Sequence, residues 1–339
     1  RRRFTRRRAR VGEDRLTWHR IAALVMRRPV LILVSVSAVL ILLVLPFAGV
    51  RFGLLDHRTL PADHPVAKTA ERLARDYPSA NEDPITVVVP GREATPVGED
   101  ELDQYAARLS TLPGVATVET VTGRYVDGQT TATTGQQADR LNASYTSAAG
   151  TWVAVTPSAA DPADARSVVR DIRDQPAPGP VLVGGSAATL VDATDTIADR
   201  LPWALGVIAL STFVLLFLFT GSLLIPLKAI VTNLLSLSAT FGALVYVFQE
   251  GNLRWLVGDF TPTGTLETTL PVLVFCIAFG LSMDYEVFLL SRITEAHRNG
   301  ATTTEAVAQG LQRTGGLITA AAAILVTVFL APAASNLTA

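Results

Sequence analysis

Long apolar runs alternate with polar stretches along the chain, and one polar stretch is much longer than the others. Each apolar run approaches or exceeds the ~20 residues that a membrane-spanning helix needs. The five runs are Val30–Val50, Leu201–Leu227, Ala229–Gln249, Thr268–Ser291 and Thr314–Ala339. The pattern predicts a polytopic α-helical membrane protein with an inserted domain outside the bilayer.

The runs divide the chain into four predicted parts. An Arg-rich segment covers residues 1–28, a transmembrane helix covers 29–50, an inserted domain covers 51–200 and a transmembrane bundle covers 201–339. Within the bundle we predict spans at about 201–220, 227–249, 268–291 and 314–335, and a cytoplasmic loop at 292–313.

The inserted domain has the alternation of short strands and amphipathic helices that is typical of an α+β fold. A helix is predicted from Val66 up to Pro78, and a polar connection is predicted over 123–150. The remaining elements follow the order β-α-β-β-α-β, which is the ferredoxin-like arrangement of a porter domain. They are strand Ile85–Val89, helix Glu99–Leu112, strands Val115–Val121 and Thr151–Thr156, a helix opening at Asp161 and Pro162, and strand Pro180–Val183.

A last helix of the inserted domain is predicted to begin at Ser186 and to continue into the second span near Leu201 and Pro202. Such a helix could transmit motion between the domain and the membrane, or it could serve only as a stalk. The sequence favours neither alternative.

Charge is distributed unevenly, although the net charge is only −1. Residues 1–28 carry eleven Arg and two acidic residues, whereas residues 51–200 carry twenty-one acidic and thirteen basic residues. The positive-inside rule therefore places the N-terminus in the cytoplasm and the 51–200 domain outside. We expect a multi-pass protein of the bacterial inner membrane. Its Arg cluster is better suited to anionic lipid headgroups than to nucleic acid.

A cleaved signal peptide is the alternative interpretation of residues 1–50. The apolar run Val30–Val50 has 21 residues, whereas the apolar region of a signal peptide has ~7–15. An uncleaved membrane anchor is therefore favoured.

The inserted domain offers little that suits catalysis or metal binding. His57 and His64 lie near Asp56 and Asp63, but two loop histidines without helical spacing are more typical of exposed residues. The single cysteine, Cys276, lies within a predicted span and cannot form a disulfide within the chain. We therefore expect no enzyme activity, no metal site and no cofactor.

The candidate functional residue is Asp284, which lies inside the apolar run Thr268–Ser291. It is eight residues from Arg292, or about 12 Å along a helix, and the hydrocarbon half-thickness is about 15 Å. A carboxylate at that depth costs at least ~2.5 kcal/mol, so we expect it to have a use. The leading use is proton movement coupled to transport, and the alternative is a hydrogen bond that holds two helices together.

The neighbours of Asp284 suggest how the site is built. Ala278 and Ser282 form a pair of small residues, with Gly280 between them, and small residues allow a second helix to approach closely. Tyr285 lies about 100° around the helix from Asp284, so its hydroxyl can reach a facing helix. For Glu286 three alternatives remain open: snorkelling toward the interface, pairing with Arg292 or lining a cytoplasmic water path.

Residues 279–292, FGLSMDYEVFLLSR, closely resemble the signature of the MMPL (mycobacterial membrane protein large) family, which belongs to the resistance-nodulation-division superfamily. The resemblance extends over almost the whole chain. Further similar segments are Met26–Pro29, Leu60–Pro65, Gly184–Ala187 and Gly310–Gly316.

The resemblance implies proton-motive-force-driven export of lipids or other hydrophobic molecules through periplasmic porter domains. It implies that Asp284 and Tyr285 form the proton relay, with Glu286 and Ser282 as auxiliary candidates. Family members have two homologous halves, and this chain resembles a C-terminal half without its sixth span. The implied partners are the missing half, membrane lipids and a hydrophobic substrate, with an oligomer or cell-envelope accessory proteins as further candidates.

Two other functions are less favoured. A non-transporting lipid sensor or scaffold of the same fold would not need a titrating Asp284. An intramembrane aspartyl protease needs carboxylates on two membrane helices, and segments 201–267 and 314–339 supply none within a span.

Overall fold

The computed structural model describes residues 18, 20–54, 60, 64–76, 83–90, 96–131, 141, 143–147, 150–158, 162–257 and 262–333. The chain divides into two compact units. The helical unit comprises Arg1–Arg51, Leu55–His64 and Leu201–Ala339, and the α/β unit comprises Phe52–Leu54 and Pro65–Arg200. Most of the Arg-rich segment, with His57, Asp63 and Asp161, lies outside the described residues.

The described residues include ten helices and nine strands. The helices are α1 (20–27), α2 (Pro29–Val44), α3 (Pro65–Asp76), α4 (Pro96–Ser110), α5 (Pro162–Asp174), α6 (Ser186–Thr220), α7 (Leu224–Leu244), α8 (Arg254–Val257), α9 (Thr269–Arg298) and α10 (Thr303–Ala333). The strands are β1 (Phe52–Gly53), β2 (Ile85–Pro90), β3 (Val115–Thr120), β4 (Gly123–Val126), β5 (Gln129–Thr131), β6 (Thr146–Ser147), β7 (Gly150–Pro157), β8 (Leu182–Gly184) and β9 (Leu266–Glu267).

Five of these helices are long and apolar enough to cross a membrane, namely α2, α6, α7, α9 and α10. A 3-10 turn at Leu45–Gly49 extends α2, and a π-helical turn at Val245–Gln249 extends α7. Helix α6 is continuous through Pro202, which confirms the predicted continuation from Ser186 past Leu201. The chain is therefore a mostly helical membrane protein with a sheet in its α/β unit.

The segment 292–313, predicted as a loop, is largely helical in the structure. Helix α9 continues to Arg298 and α10 begins at Thr303. The hydroxyl and N–H of Thr302 donate to the Glu305 carboxylate at 2.9 and 3.1 Å, which forms the start of a helix-capping box. The prediction missed this helix because apolar composition marks the membrane edge, and a helix can continue beyond it into water.

Glycines allow close helix contacts in the helical unit. A Cβ atom at Gly242 of α7 would collide with the Leu43 carbonyl of α2. A Cβ atom at Gly310 of α10 would lie 2.5 Å from the Ile293 side chain of α9. Because lipid provides no hydrophobic force between helices, close backbone approach is a main source of helix association.

A side-chain clamp joins the end of α2 to the end of α7. The Gln249 amide nitrogen donates to the Gly49 carbonyl at 2.8 Å, and its oxygen accepts from the Arg51 N–H at 2.8 Å. The Arg51 carbonyl then accepts from the Leu266 N–H at 2.8 Å. The buried Gln249 side chain thus bonds the backbone as a neighbouring strand would.

The α/β unit is built on one antiparallel sheet with the strand order β5-β4-β3-β7-β2-β8, and β6 pairs with β7. Strands β2, β3, β7 and β8 and helices α4 and α5 lie within one to three residues of the predicted bounds. Hairpin β4–β5 was missed, because residues 123–150 were interpreted as a connection. Its turn is Asp127-Gly128, and both residues have positive φ, as a type I′ hairpin turn requires.

The core of the α/β unit lies between the sheet and helices α4 and α5. Along β2 the buried side chains alternate, so that Ile85, Val87 and Val89 point into the core. The two helices contribute Leu102, Tyr105, Ala106 and Leu109 from α4, and Val168, Val169 and Ile172 from α5. Each buried aliphatic side chain contributes roughly 1.5–3 kcal/mol.

Candidate intramembrane site

Helix α9 carries the predicted site, and a carboxylate fixes where it begins. Glu267 accepts hydrogen bonds from the N–H groups of Thr269 and Leu270, each at 2.9 Å. Partial burial alone would raise the pKa of Glu267, but these bonds and that from Thr268 outweigh it and hold the pKa below its usual value. Two of the free N–H groups of the first turn are thereby satisfied.

Asp284 lies near the middle of this 30-residue helix. It is fifteen residues from Thr269 and fourteen from Arg298, or about 21–22 Å from either end. Since a bilayer core is about 30 Å thick, both helix ends extend beyond the hydrocarbon when Asp284 lies near its centre.

Asp284 projects from an exposed face of α9. Gly280 and Val287, four residues before it and three after it, are exposed on the same face. Within the part of the chain that the structure describes, the Asp284 carboxylate makes no hydrogen bond and no ion pair. The carboxylate is therefore available to a group outside the described residues.

Tyr285 and Glu286 are half-buried and point to other sides of the helix. Glu286 lies close enough to Lys228 of α7 for the two charges to interact. Arg292 instead bonds Glu295 at 2.8 Å and stacks on Phe288 at 5.5 Å. Pairing between Glu286 and Arg292, one of the three alternatives, is therefore not formed.

The predicted small residues occupy different environments. Ala278 and Ser282 are partly buried, whereas Gly280 is exposed and a Cβ atom there would meet nothing within 4 Å. Gly280 is therefore open to a helix from outside the chain, whereas Gly242 and Gly310 are among the described glycines that make close contacts within it. Sequence analysis noted Gly310 only within a segment that resembles the MMPL family, and it did not mention Gly242.

A further polar residue of the bundle escaped the sequence analysis. Asn233 of α7 is buried, and both polar atoms of its amide lack a hydrogen-bond partner among the described residues. The available signal was one Asn within an otherwise apolar run.

The MMPL family profile matches residues 58–339 of the chain. The chain belongs to the MMPL family. Its membership agrees with the motif that surrounds Asp284 and with the five apolar helices.

Similar proteins occur in Streptomyces and Mycobacterium species. A membrane protein of Streptomyces coelicolor is 36% identical over 323 residues, which are 95% of this chain and 41% of that protein. The trehalose monomycolate exporter MmpL3 of Mycobacterium tuberculosis is 30% identical, over 92% of this chain and 32% of the exporter. The heme uptake protein MmpL11 of the same species is 29% identical, over 92% of this chain and 31% of its own length. The chain thus spans less than half the length of these relatives.

Proposed function

We propose that this MMPL chain is one half of a proton-driven transporter that exports lipids or other hydrophobic molecules across the bacterial inner membrane. Asp284 and Tyr285 form its intramembrane proton relay. The protein acts as a transporter rather than an enzyme, and its energy source is the proton gradient.

The observation that carries this proposal is the placement of Asp284. A purely structural carboxylate would be hydrogen-bonded within its own bundle, because an unpaired ionisable group in a membrane is expensive. Asp284 instead lies unpaired among the described residues, on the exposed face that it shares with Gly280. That face suits the missing homologous half, which would cover Asp284 and supply its hydrogen-bond partners.

The α/β unit is proposed to be a ferredoxin-like porter domain outside the membrane. Its main elements follow the order β2-α4-β3-β7-α5-β8, and the central strands are adjacent in the order β3-β7-β2-β8. This order and the antiparallel pairing support a split β-α-β-β-α-β fold. The acidic balance of residues 51–200 and the basic balance of 1–28 support an outside domain and a cytoplasmic N-terminus.

The proposed substrate class rests on the relatives. One is named for the export of trehalose monomycolate and another for the uptake of heme. Both are large molecules with extensive apolar parts, so a porter path suited to amphiphilic cargo is the common requirement. Besides the other half, membrane lipids and cell-envelope accessory proteins are the proposed partners.

The test is Asp284→Asn in the full-length protein, reconstituted in lipid vesicles with an imposed pH gradient and an internal pH-sensitive dye. The amide keeps the size of the side chain but cannot titrate, so proton flux should fall about 100-fold or more. Asp284→Glu should retain part of the flux. Glu295→Gln, which lies on the same helix and loses an ion pair with Arg292, is the matched control and should transport normally. Normal flux through the Asp284→Asn protein would refute the relay.

A further inference from the structure

A short helix, α1, precedes the first span and has an axis of its own. It ends before Arg28, whose backbone leaves the helical region at φ −142° and ψ 62°, and Pro29 then begins α2. Because Arg28 is not helical and a proline has no N–H to continue a helix from the turn before it, α1 and α2 meet at a bend. The direction of α1 is therefore determined by its own contacts.

One contact fixes the far end of α1 on the bundle. A Cβ atom at Gly315 of α10 would collide with the indole ring of Trp18, so the ring lies directly on the glycine. Four and eight residues after Trp18, Ala22 is only 1% exposed and Met26 is partly buried. Since residues four apart lie on the same side of a helix, one stripe of α1 packs on the helical unit.

Both ends of α1 lie where charged sequence is followed by apolar sequence. Helix α2 begins directly after Arg27 and Arg28 and contains no charged residue. Gly315 lies two residues after Arg313, the last charged residue of α10. Trp18 and Arg28 are ten residues apart, about 15 Å along a helix, which is half the thickness of a bilayer core. Both ends are therefore at the same side of the membrane, and α1 runs along its edge.

The exposed side of α1 has an apolar part and a basic part. Ile21, Leu24 and Val25 are 42%, 66% and 38% exposed, and they fall within about 100° of the helix circumference. Arg20 and Arg27 are also exposed and lie within about 20° of each other, on the side away from the packed stripe. This distribution is typical of a helix in a membrane interface, which places apolar side chains among the acyl chains and cations at the headgroups.

We propose that α1 is an interfacial helix whose Arg20 and Arg27 bind anionic phospholipid headgroups of the cytoplasmic leaflet. The contact between Trp18 and Gly315 holds it across the inner ends of α2 and α10. This site deepens the lipid partnership of the proposed function, and it rests on the cytoplasmic N-terminus proposed there but not on the relay. The charge is complementary, because residues 1–28 carry eleven Arg and two acidic residues, and anionic lipids attract basic residues next to a span. Helix α1 would thereby link α2, which packs on α7, to α10, which packs on α9.

The first experiment locates the exposed sides of α1 by electron paramagnetic resonance. In the full-length protein without other cysteines, including Cys276→Ala, a nitroxide is attached at Leu24→Cys or at Ala23→Cys. The protein is reconstituted in vesicles of phosphatidylcholine and phosphatidylglycerol. Ala23 is the matched control, because it is adjacent and exposed but lies about 40° from Arg27, on the basic side.

The nitroxide at position 24 should be relaxed mainly by oxygen, which dissolves among acyl chains, and the nitroxide at position 23 mainly by a water-soluble nickel chelate. Equal relaxation of both by the nickel chelate would overturn the interfacial helix. Protection of position 24 from both reagents would also overturn it, because protein would then cover the apolar side.

The second experiment tests the contact with α10. Gly315→Ala places a methyl group against the Trp18 ring, so the nitroxide at position 24 should become more mobile. Gly316→Ala is the matched control, because a Cβ atom there meets nothing within 4 Å, and it should leave the spectrum unchanged. Identical spectra from the two variants would overturn the docking of α1 on α10.

The third experiment tests the headgroups. Full-length protein in a neutral detergent is titrated with phosphatidylglycerol, and the bound lipid is counted by native mass spectrometry. Arg20→Gln combined with Arg27→Gln should lower the affinity about 30-fold. Arg20→Lys combined with Arg27→Lys keeps both charges and should stay within about threefold of wild type.

Phosphatidylcholine, which has no net charge, should not displace the bound phosphatidylglycerol. An unchanged affinity in the glutamine variant, or equal binding of the two lipids, would overturn the headgroup site. None of the three readouts measures proton flux, so a failure of the relay and a failure of this site are distinguishable.

Discussion

Apolar side chains have opposite environments in the two units of the chain. In the α/β unit, Tyr105, Leu109 and Val168 are completely buried. In the helical unit, Leu215 and Leu218 are 68% and 74% exposed. The difference reflects the solvent, since water drives apolar groups inward and lipid tails are as apolar as leucine.

Different interactions consequently stabilise each of the two units. The α/β unit depends on the volume of its core, so loss of buried methylenes should weaken it. The helical unit depends on close contacts at Gly242 and Gly310 and on the Gln249 clamp.

The largest expected effect is on the α/β core. Leu109→Ala in an excised domain of residues 65–200 should lower the free energy of unfolding by about 2–5 kcal/mol, because it leaves a cavity in a closed core. Leu182→Ala, at a position that is 65% exposed, should change it by less than about 0.5 kcal/mol. Urea denaturation followed by circular dichroism measures both values. Similar losses in the two variants would show that the core does not dominate the stability of this unit.

The second expected effect is the loss of proton flux when the hydroxyl of Tyr285 in the helical unit is removed. Tyr285→Phe removes only a hydroxyl, yet proton flux of the full-length protein should fall about 100-fold and its pH optimum should shift. The reason is that the hydroxyl would donate to a carboxylate of the other half and so stabilise one protonation state. Tyr246→Phe, at an exposed tyrosine of the same unit, is the control and should transport normally. If Tyr285→Phe matched wild type at every pH, the tyrosine would serve packing only.

The smallest expected effect is the loss of folding stability of the α/β unit at alkaline pH. Burial raises the pKa of Tyr125 to about 12, as does the carboxylate of Asp103, which accepts a 2.5 Å hydrogen bond from its hydroxyl. Burial also raises the pKa of Tyr105 to about 12, partly offset by Arg108. Burial likewise raises the pKa of Tyr145, as does the hydrogen bond that its hydroxyl donates to Glu119. The folded state therefore keeps these three protons longer than the unfolded chain, whose tyrosines titrate near pH 10.

This stabilisation is complete below about pH 10 and is lost as the pH rises to about 12, by ~1.4 kcal/mol per pH unit for each tyrosine. Denaturation of the excised 65–200 domain over that range should show the slope, and Tyr125→Phe should lower it by about a third. If Tyr125→Phe left the dependence of the unfolding free energy on pH unchanged, other groups would be responsible for the loss of stability at alkaline pH.

The same difference in solvent explains what sequence analysis could predict. In the α/β unit, alternation along β2 and the helical spacing of α4 reflect burial directly, so both elements were predicted within a few residues. The hairpin β4–β5 was missed because its strands are short and polar. The Asp127-Gly128 pair was the usable signal, since both residues adopt the positive φ of a hairpin turn.

In the helical unit, composition predicted the spans but not their contacts. A lone glycine among small residues does not reveal that Gly242 touches the backbone of α2. Asn233 was passed over because an uncharged residue hardly changes the apolar character of a run. Asp284 was found because a carboxylate does change it, but its partner cannot be predicted from a chain that spans less than half of its relatives.

The Gln249 clamp has a mechanical consequence. With Gly49 and Arg51 bonded to one side chain and Gly242 pressed against Leu43 one to two turns away, α2 and α7 are fastened together at the same end. These contacts oppose relative sliding of the two helices at that end. In the proposed transport cycle we therefore expect sliding at other helix contacts, and movement at the interface of α9 with its neighbours would alter the surroundings of Asp284.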